Sequence, residues 1–506
     1  MKARWISSEE FAGLEPLDLF GKELAQKREA SGEHRNRHIL FRRRISLDGC
    51  KRYTVSITAD DYYKLYINGH FAAMGPAPSY HFAYNYNTID ISEFIVDGEN
   101  DIFVHTYYQG LCNRVFCSGD LRHGLWAELM CGSEPVCVTD EEWEYAYDMR
   151  FGSADTVGYD TQFLENINTY NSSREWRHAL LKQYDDYTLR PQITETCKVE
   201  ELRPECIVKT DTDSYLFDFG KEYSGWIRIY ADAGNIGEVM LCYAEEAENG
   251  HARYNMRCAA GYREKWILNG IDDTEGYDYK AFRFVEIYGI TNPACVSLIK
   301  RGYPVKSKQN LKTGNQKLDA ILEICRQGVL TATQEVFMDC PTREKGQYLG
   351  DLTVTALAHS YITGDTAMYK KALFDFAASG FVCRGLMCCA PCSFMQEIAD
   401  FSLLYPYQLY KYYELTHDRE TVKQLFTAVE GMLDYFNAYR RDDGLLENVH
   451  EKWNLVDWPE NLRDGYDFAL TKPIGRGCHN VLNAYYYGGL KYAQRLAEIA
   501  CVDIDF

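Results

Sequence analysis

Asp339-Cys340-Pro341-Thr342-Arg343-Glu344, followed by Gly350-Asp351, gathers three carboxylates and a guanidinium into thirteen residues. Carboxylates this close repel one another, so one is expected to keep its proton near neutral pH. A carboxyl held protonated is what general-acid catalysis requires. The ordinary alternative is a polar loop between two helices. Upstream, from Asn315 to Met338, Leu318, Ile321, Leu322, Ile324, Cys325, Val329 and Leu330 recur mostly at three- and four-residue spacing. That period predicts an amphipathic helix. Pro341 is expected to stop it, because proline lacks an N–H and restricts the residue before it. The carboxylates would then lie on a loop presented by a rigid scaffold.

The wording Asp-Cys-Pro-Thr-x-Glu with Gly-Asp after it resembles the active-site segment of the bacterial α-L-rhamnosidases, glycoside hydrolase family 78. The resemblance implies that Glu344 is the general acid and that Asp339, Arg343 and Asp351 bind the sugar. Many members place the acid two residues after the Arg and a Trp four residues beyond it. Here Glu344 follows Arg343 directly, and Tyr348 holds the Trp position. Trp453-Asn-Leu-Val-Asp457-Trp458-Pro-Glu460 supplies two indoles and an acid suited to stacking on a sugar ring, and the resemblance points to Trp458 as a pocket residue. A buried Trp plugging a helix end explains it otherwise. Asp400, in Glu397-Ile-Ala-Asp-Phe-Ser, aligns with a pocket-lining segment and reads equally well as a helix N-cap. The family's base comes from a loop well downstream of the acid. Glu447, Glu451 and Glu460 do not match its pattern.

Composition sets the outer bounds. A chain of 506 residues is too long for one core. With 54 Lys and Arg against 74 Asp and Glu, its net charge of −20 speaks against nucleic acid and anionic membranes, which need basic footprints. Met1-Lys-Ala-Arg-Trp-Ile-Ser-Ser-Glu-Glu contains no apolar h-region, so a reducing, cytoplasmic setting is expected. The 18 cysteines then read as free thiols. Cys383, Cys388, Cys389 and Cys392 contain one C-x-x-C, short of the two spaced pairs that zinc usually takes. His359, His417, His450 and His479 have no second ligand at helical spacing and read as ordinary polar residues. Neither a metal nor a cofactor is expected.

Residues 36 to about 305 read as β. Tyr53-Thr-Val-Ser-Ile-Thr alternates, and Lys64-Leu-Tyr-Ile runs into Asn68-Gly69, a strong hairpin signal. Pro191-Gln and Thr194 to Arg203 look like a linker. Phe217-Asp-Phe-Gly-Lys-Glu-Tyr-Ser-Gly-Trp226 and Phe282-Arg-Phe-Val-Glu-Ile-Tyr-Gly289 resemble the family's second sandwich, with Gly220 and Gly225 expected at turns. From about Lys312 the pattern is helical. Tyr361-Ile-Thr-Gly-Asp365 and Tyr413-Glu-Leu-Thr-His-Asp418 form a faint repeat between helix pairs, with each Asp a candidate cap. The expected domains are a β-sandwich over 1–195, a second over 196–305, and part of an (α/α)6 toroid over 306–506. A full toroid needs roughly twice that helical length, so the chain looks cut partway round. Together these readings predict an inverting hydrolase of terminal α-L-rhamnosides, a β + α multidomain protein whose substrate is a rhamnose-containing glycoside and which self-associates through its unfinished ring. The rivals are an (α/α)6 glycosidase for another sugar and a non-catalytic carbohydrate-binding protein.

Overall fold

A computed structural model describes residues 2–17, 19, 32–115, 118–152, 155–158, 160–231, 234–256, 260–305, 312–381, 385–393, 398–449, 454 and 477–503. The chain divides into two compact units. One comprises Met1–Pro304 with Lys312–Glu335 and Cys340–Lys345; the other comprises Val305–Leu311, Val336–Asp339 and Gly346–Phe506.

The first unit opens with two sheets of seven and six strands. Arg37–Leu47, Tyr62–Ile67 and Gly98–Tyr108 form the middle of the six-stranded sheet, and Tyr53–Asp60 and Gly124–Cys131 that of the other. Alternation along each strand sends one set of side chains inward. Phe41, Leu65, Val104, Ile57 and Leu129 meet there in a single buried cluster. As expected, Asn68 and Gly69 make the hairpin turn with φ of 52° and 80°, the two positive values that this tight turn demands.

An eight-stranded sheet follows, built on the long strand Ser214–Ile229. Two expectations change here. Gly220 and Gly225 are not at turns but inside that one strand. Gly220 (φ 78°) sits where the register with Lys280–Tyr288 shifts, and Gly225 lies so close to the neighbouring strand that a Cβ would come within 2.2 Å of the Ile299 carbonyl. The supposed linker is also paired. Leu189–Pro191 runs parallel to Tyr84–Asp90, and Lys198–Leu202 pairs antiparallel with Val296–Gly302 at the sheet's edge. Edge strands carry polar residues to discourage further pairing, which is why the segment read as a linker.

Helix α1 (Gln316–Thr331) is capped by the Asn315 side chain, which accepts from Lys317 and Leu318 N–H. It ends ten residues before Pro341, so the proline is not what stops it. Instead Gln334 and Ser224 side chains donate to the Thr331 carbonyl at 3.0 Å each, and Thr333 Oγ1 donates to the Val329 carbonyl at 2.7 Å. Those bonds satisfy carbonyls that a longer helix would have used. Leu318, Ile321, Leu322 and Ile324 remain 50, 47, 38 and 73 % exposed.

The second unit contains six α-helices among the described residues: α2 (Leu349–Thr363), α3 (Ala367–Ala378), α4 (Ala399–Ser402), α5 (Tyr405–Thr416), α6 (Arg419–Asn437) and α7 (Asn480–Ala500). The faint repeat is real. Gly364 (φ 73°) and His417 (φ 54°) end α2 and α5 in the left-handed conformation. Asp418 then accepts from Thr421 N–H at 3.0 Å as the cap of α6, whereas Asp365 accepts from Ala367 N–H at 2.6 Å from one residue before the cap position. Lys370 of α3 pairs with Asp418 at 3.0 Å, tying the two turns together. None of the described helices is long and apolar enough to cross a membrane.

Candidate active site

The segment that carries Glu344 is fixed to the β unit by its backbone. Lys345 adopts φ 57°, and its N–H closes the loop on the Cys340 carbonyl at 3.1 Å. Tyr262 OH donates to the Thr342 carbonyl at 2.7 Å, and Thr161 Oγ1 donates to the Arg343 carbonyl at 2.6 Å. Gly158 (φ 64°) passes beneath, where a Cβ would stand 2.7 Å from the Arg343 oxygen. The Lys345 side chain points inward. It is 2 % exposed, donates to the Tyr279 carbonyl at 2.7 Å and to Gln162 Oε1, and stacks 3.7 Å over the Tyr279 ring. Burial brings its pKa down to about 8, because desolvation disfavours the charged form.

The Glu344 side chain is 14 % exposed, with Arg114 Nη1 at 2.6 Å from one oxygen and Arg343 Nε at 3.5 Å from the other. Arg114 comes from a loop of the first sandwich. Its neighbour Asn113, fully buried, donates to the Thr161 carbonyl at 2.9 Å and to Gln109 Oε1 at 2.8 Å. One hairpin, Thr156–Phe163, therefore anchors both the loop that supplies Arg114 and the loop that supplies Glu344. The carboxylate is held by guanidinium groups and the loop by fixed hydrogen bonds, an arrangement that sets the position of a reacting oxygen.

In the helical unit, Asp339 receives the Gly346 N–H on Oδ1 at 2.9 Å and donates its own N–H to the Gly346 carbonyl at 2.9 Å. It is thus the bracket of a turn. Tyr348 is the N-cap residue of α2 and packs with Cys389, Ala390 and Ile398. Asp351 lies exposed in the first turn of α2, where the helix dipole favours a negative charge. Asp400 is 1 % exposed in the first turn of α4. It is not the N-cap, a position held by Ile398 in extended conformation. Trp453, Trp458, Glu451, Glu460, His450 and Cys383 lie outside the described residues. Glu447 is partly exposed beside Arg441 at 3.4 Å. Cys388, Cys389 and Cys392 are buried and in no disulfide among the described residues, where no group of three or more His, Cys, Asp or Glu could hold a metal ion. His359 is buried against Phe337, and His479 caps α7.

Arg114, Thr161, Tyr262 and Lys345 escaped the sequence reading. They come from separate strands and turns, and a lone Arg in Leu-Cys-Asn-Arg carries no periodic signal. Lys345 alone had a cue, standing next to the candidate acid.

Residues 306–505 match the domain model described as the bacterial alpha-L-rhamnosidase 6 hairpin glycosidase domain, and residues 208–301 match the bacterial alpha-L-rhamnosidase concanavalin-like domain. The chain is 21 % identical over 527 aligned residues to an alpha-L-rhamnosidase of Formosa agariphila, covering 91 % of this chain and 52 % of that protein. It therefore spans about half the length of that relative. Its fold is similar to the crystal structure of a family 78 rhamnosidase of Bacillus sp. GL1, with TM-score 0.81, 16 % identity, and coverage of 99 % of this chain and 74 % of the other. It is also similar to the Streptomyces avermitilis alpha-L-rhamnosidase complexed with L-rhamnose, with TM-score 0.72, 19 % identity, and coverage of 93 % and 47 %. With both of its characteristic domains matched in chain order, this protein belongs to the bacterial α-L-rhamnosidases of glycoside hydrolase family 78.

Proposed function

We propose that the protein hydrolyses terminal α-L-rhamnosyl residues of rhamnosides, with Glu344 as general acid. The observation that carries this reading is the family segment ending in Glu344, pinned at Thr342, Arg343 and Lys345 to the β unit. Glu344 delivers its proton to the glycosidic oxygen as the C1–O bond breaks, and the aglycone leaves as an alcohol. Water adds to C1 from the opposite face and gives its proton to a base, which inverts the anomeric centre. Acid and base must stand roughly 6.5–9.5 Å apart to admit that water. Rhamnose binding falls to Asp339, Arg343, Tyr348, Asp351, Asp400 and Trp458 on the family resemblance and to Trp453 as an indole suited to stacking on a sugar ring, and the setting is the cytoplasm.

The 2.6 Å pair with Arg114 favours a second reading, in which Glu344 anchors its loop and does no proton chemistry. A panel of p-nitrophenyl glycosides, followed by NMR of the first-formed anomer, tests the proposal. Turnover of the α-L-rhamnoside alone with β-L-rhamnose appearing first is the expected result. Initial release of the α-anomer would overturn inversion, and turnover of a different glycoside would overturn the substrate.

A further inference from the structure

The six-stranded sheet of the first sandwich uses both faces. Phe41, Leu65 and Val104 point into the core. Their alternates Leu40, Lys64, Tyr66, Phe103 and His105 line a cavity of about 380 Å³ on the other side. Residues from around the strand Thr274–Glu275 and from the connection near Arg150 and Arg174 complete its wall. This volume is that of a small-ligand site.

The charges around it do not balance locally. Arg228 is matched by Asp273 at 3.0 Å and Glu275 at 3.9 Å. Arg150 is bound by Asp148 at 2.6 Å. Lys64 and Arg174 have no ion pair among the described residues. Lys64 is 2 % exposed. Its Nζ stands 3.5 Å over the Trp226 ring and 4.5 Å from that of Tyr277, and its one hydrogen bond among the described residues, to the Gly276 carbonyl, is 3.5 Å long. An ammonium has three donors, and a buried one short of acceptors is costly. Burial lowers the Lys64 pKa to about 8. Arg174 stands 5.6 Å over Phe103. Asp101 also lines the cavity, with Oδ1 3.8 Å from Arg44 Nε, and its carboxylate can accept from a hydroxyl. Tyr66 and Phe103, 6.0 Å apart, add partly exposed aromatic surface.

We infer that this cavity binds an acidic sugar, a glycan unit bearing a carboxylate or sulfate, with the anion on Lys64 and Arg174, a hydroxyl on Asp101, and the ring against Tyr66 and Phe103. The site contains no residue of the loop Cys340–Lys345, so it stands whether or not Glu344 is an acid. It equips the protein to hold a charged polysaccharide while acting on a rhamnosyl end.

Calorimetric titration of the 506-residue chain with digalacturonate, a sulfated disaccharide and neutral cellobiose tests it. At least one acidic disaccharide is expected to bind tighter than cellobiose, and Arg174→Gln to weaken it roughly tenfold, as loss of a charged hydrogen bond does. Tyr66→Ala should weaken it too; Arg174 is exposed, so Arg174→Gln leaves the fold intact where Lys64→Met would strain it. If one acidic probe binds and the other does not, the anion is identified. The inference fails if neither acidic probe exceeds cellobiose, or if Arg174→Gln leaves the affinity unchanged.

Discussion

Arg114 and Lys345 make separable claims about Glu344. Arg114 touches the carboxylate itself at 2.6 Å, so Arg114→Ala should let it wander while leaving the loop pinned. A misplacement of about 1 Å costs on the order of 10²-fold in rate, and the loss should fall on kcat rather than KM. An unchanged kcat would make the pair incidental. Lys345 acts on the loop from inside the protein, and its effect is readable by pH. Its folded pKa is lowered to about 8 from 10.5. Below pH 8 both folded and unfolded chains carry the proton. Between about 8 and 10.5 the unfolded chain keeps it and the folded chain does not, so stability attributable to this group rises with pH. Lys64 and Lys182 are shifted the same way, and only a difference isolates Lys345. Across that window wild type should gain on Lys345→Met by up to roughly 3 kcal/mol of unfolding free energy. A flat difference would contradict the burial argument. At this scale the sequence pointed to Glu344 through its motif and gave no cue to Arg114, whose partner is 230 residues away.

At the scale of elements, the candidate acid depends on a loop and a hairpin fitting closely. Gly158 has φ 64° and no room for a Cβ over the Arg343 carbonyl. Gly158→Ala should cost about 1–2 kcal/mol from the left-handed conformation alone. It should also lower activity by displacing the loop, as denaturant melts and rate measurements on the variant would record. Full activity in a destabilised variant would uncouple hairpin from site. Elements with local causes were legible: the Asn68-Gly69 turn and the Asp418 cap both follow from residues acting within three positions. Elements with distant causes were not. Gly220 and Gly225 look like turn residues until the strands beside them are known, and α1 stops at Thr331 because Ser224, about a hundred residues earlier, takes its last carbonyl.

At the scale of the whole molecule, the order of β units and then helices was legible from the switch in hydrophobic period, and the family from one short phrase. The apolar stripe of α1 predicted a buried helix face, yet Leu318, Ile321, Leu322 and Ile324 are well exposed. Such a patch favours association, so the chain should show concentration-dependent sedimentation that Ile321→Lys with Ile324→Lys abolishes. Persistence of association in that variant would place the contact elsewhere. Glu344 moving a proton is tested most directly by comparing wild type with Glu344→Gln on two rhamnosides. An alkyl rhamnoside, whose leaving oxygen needs a proton, should lose roughly 10²–10⁴ in rate, and p-nitrophenyl rhamnoside, whose leaving group needs little, should lose far less. Equal losses on the two substrates would contradict the assignment and leave Glu344 an anchor.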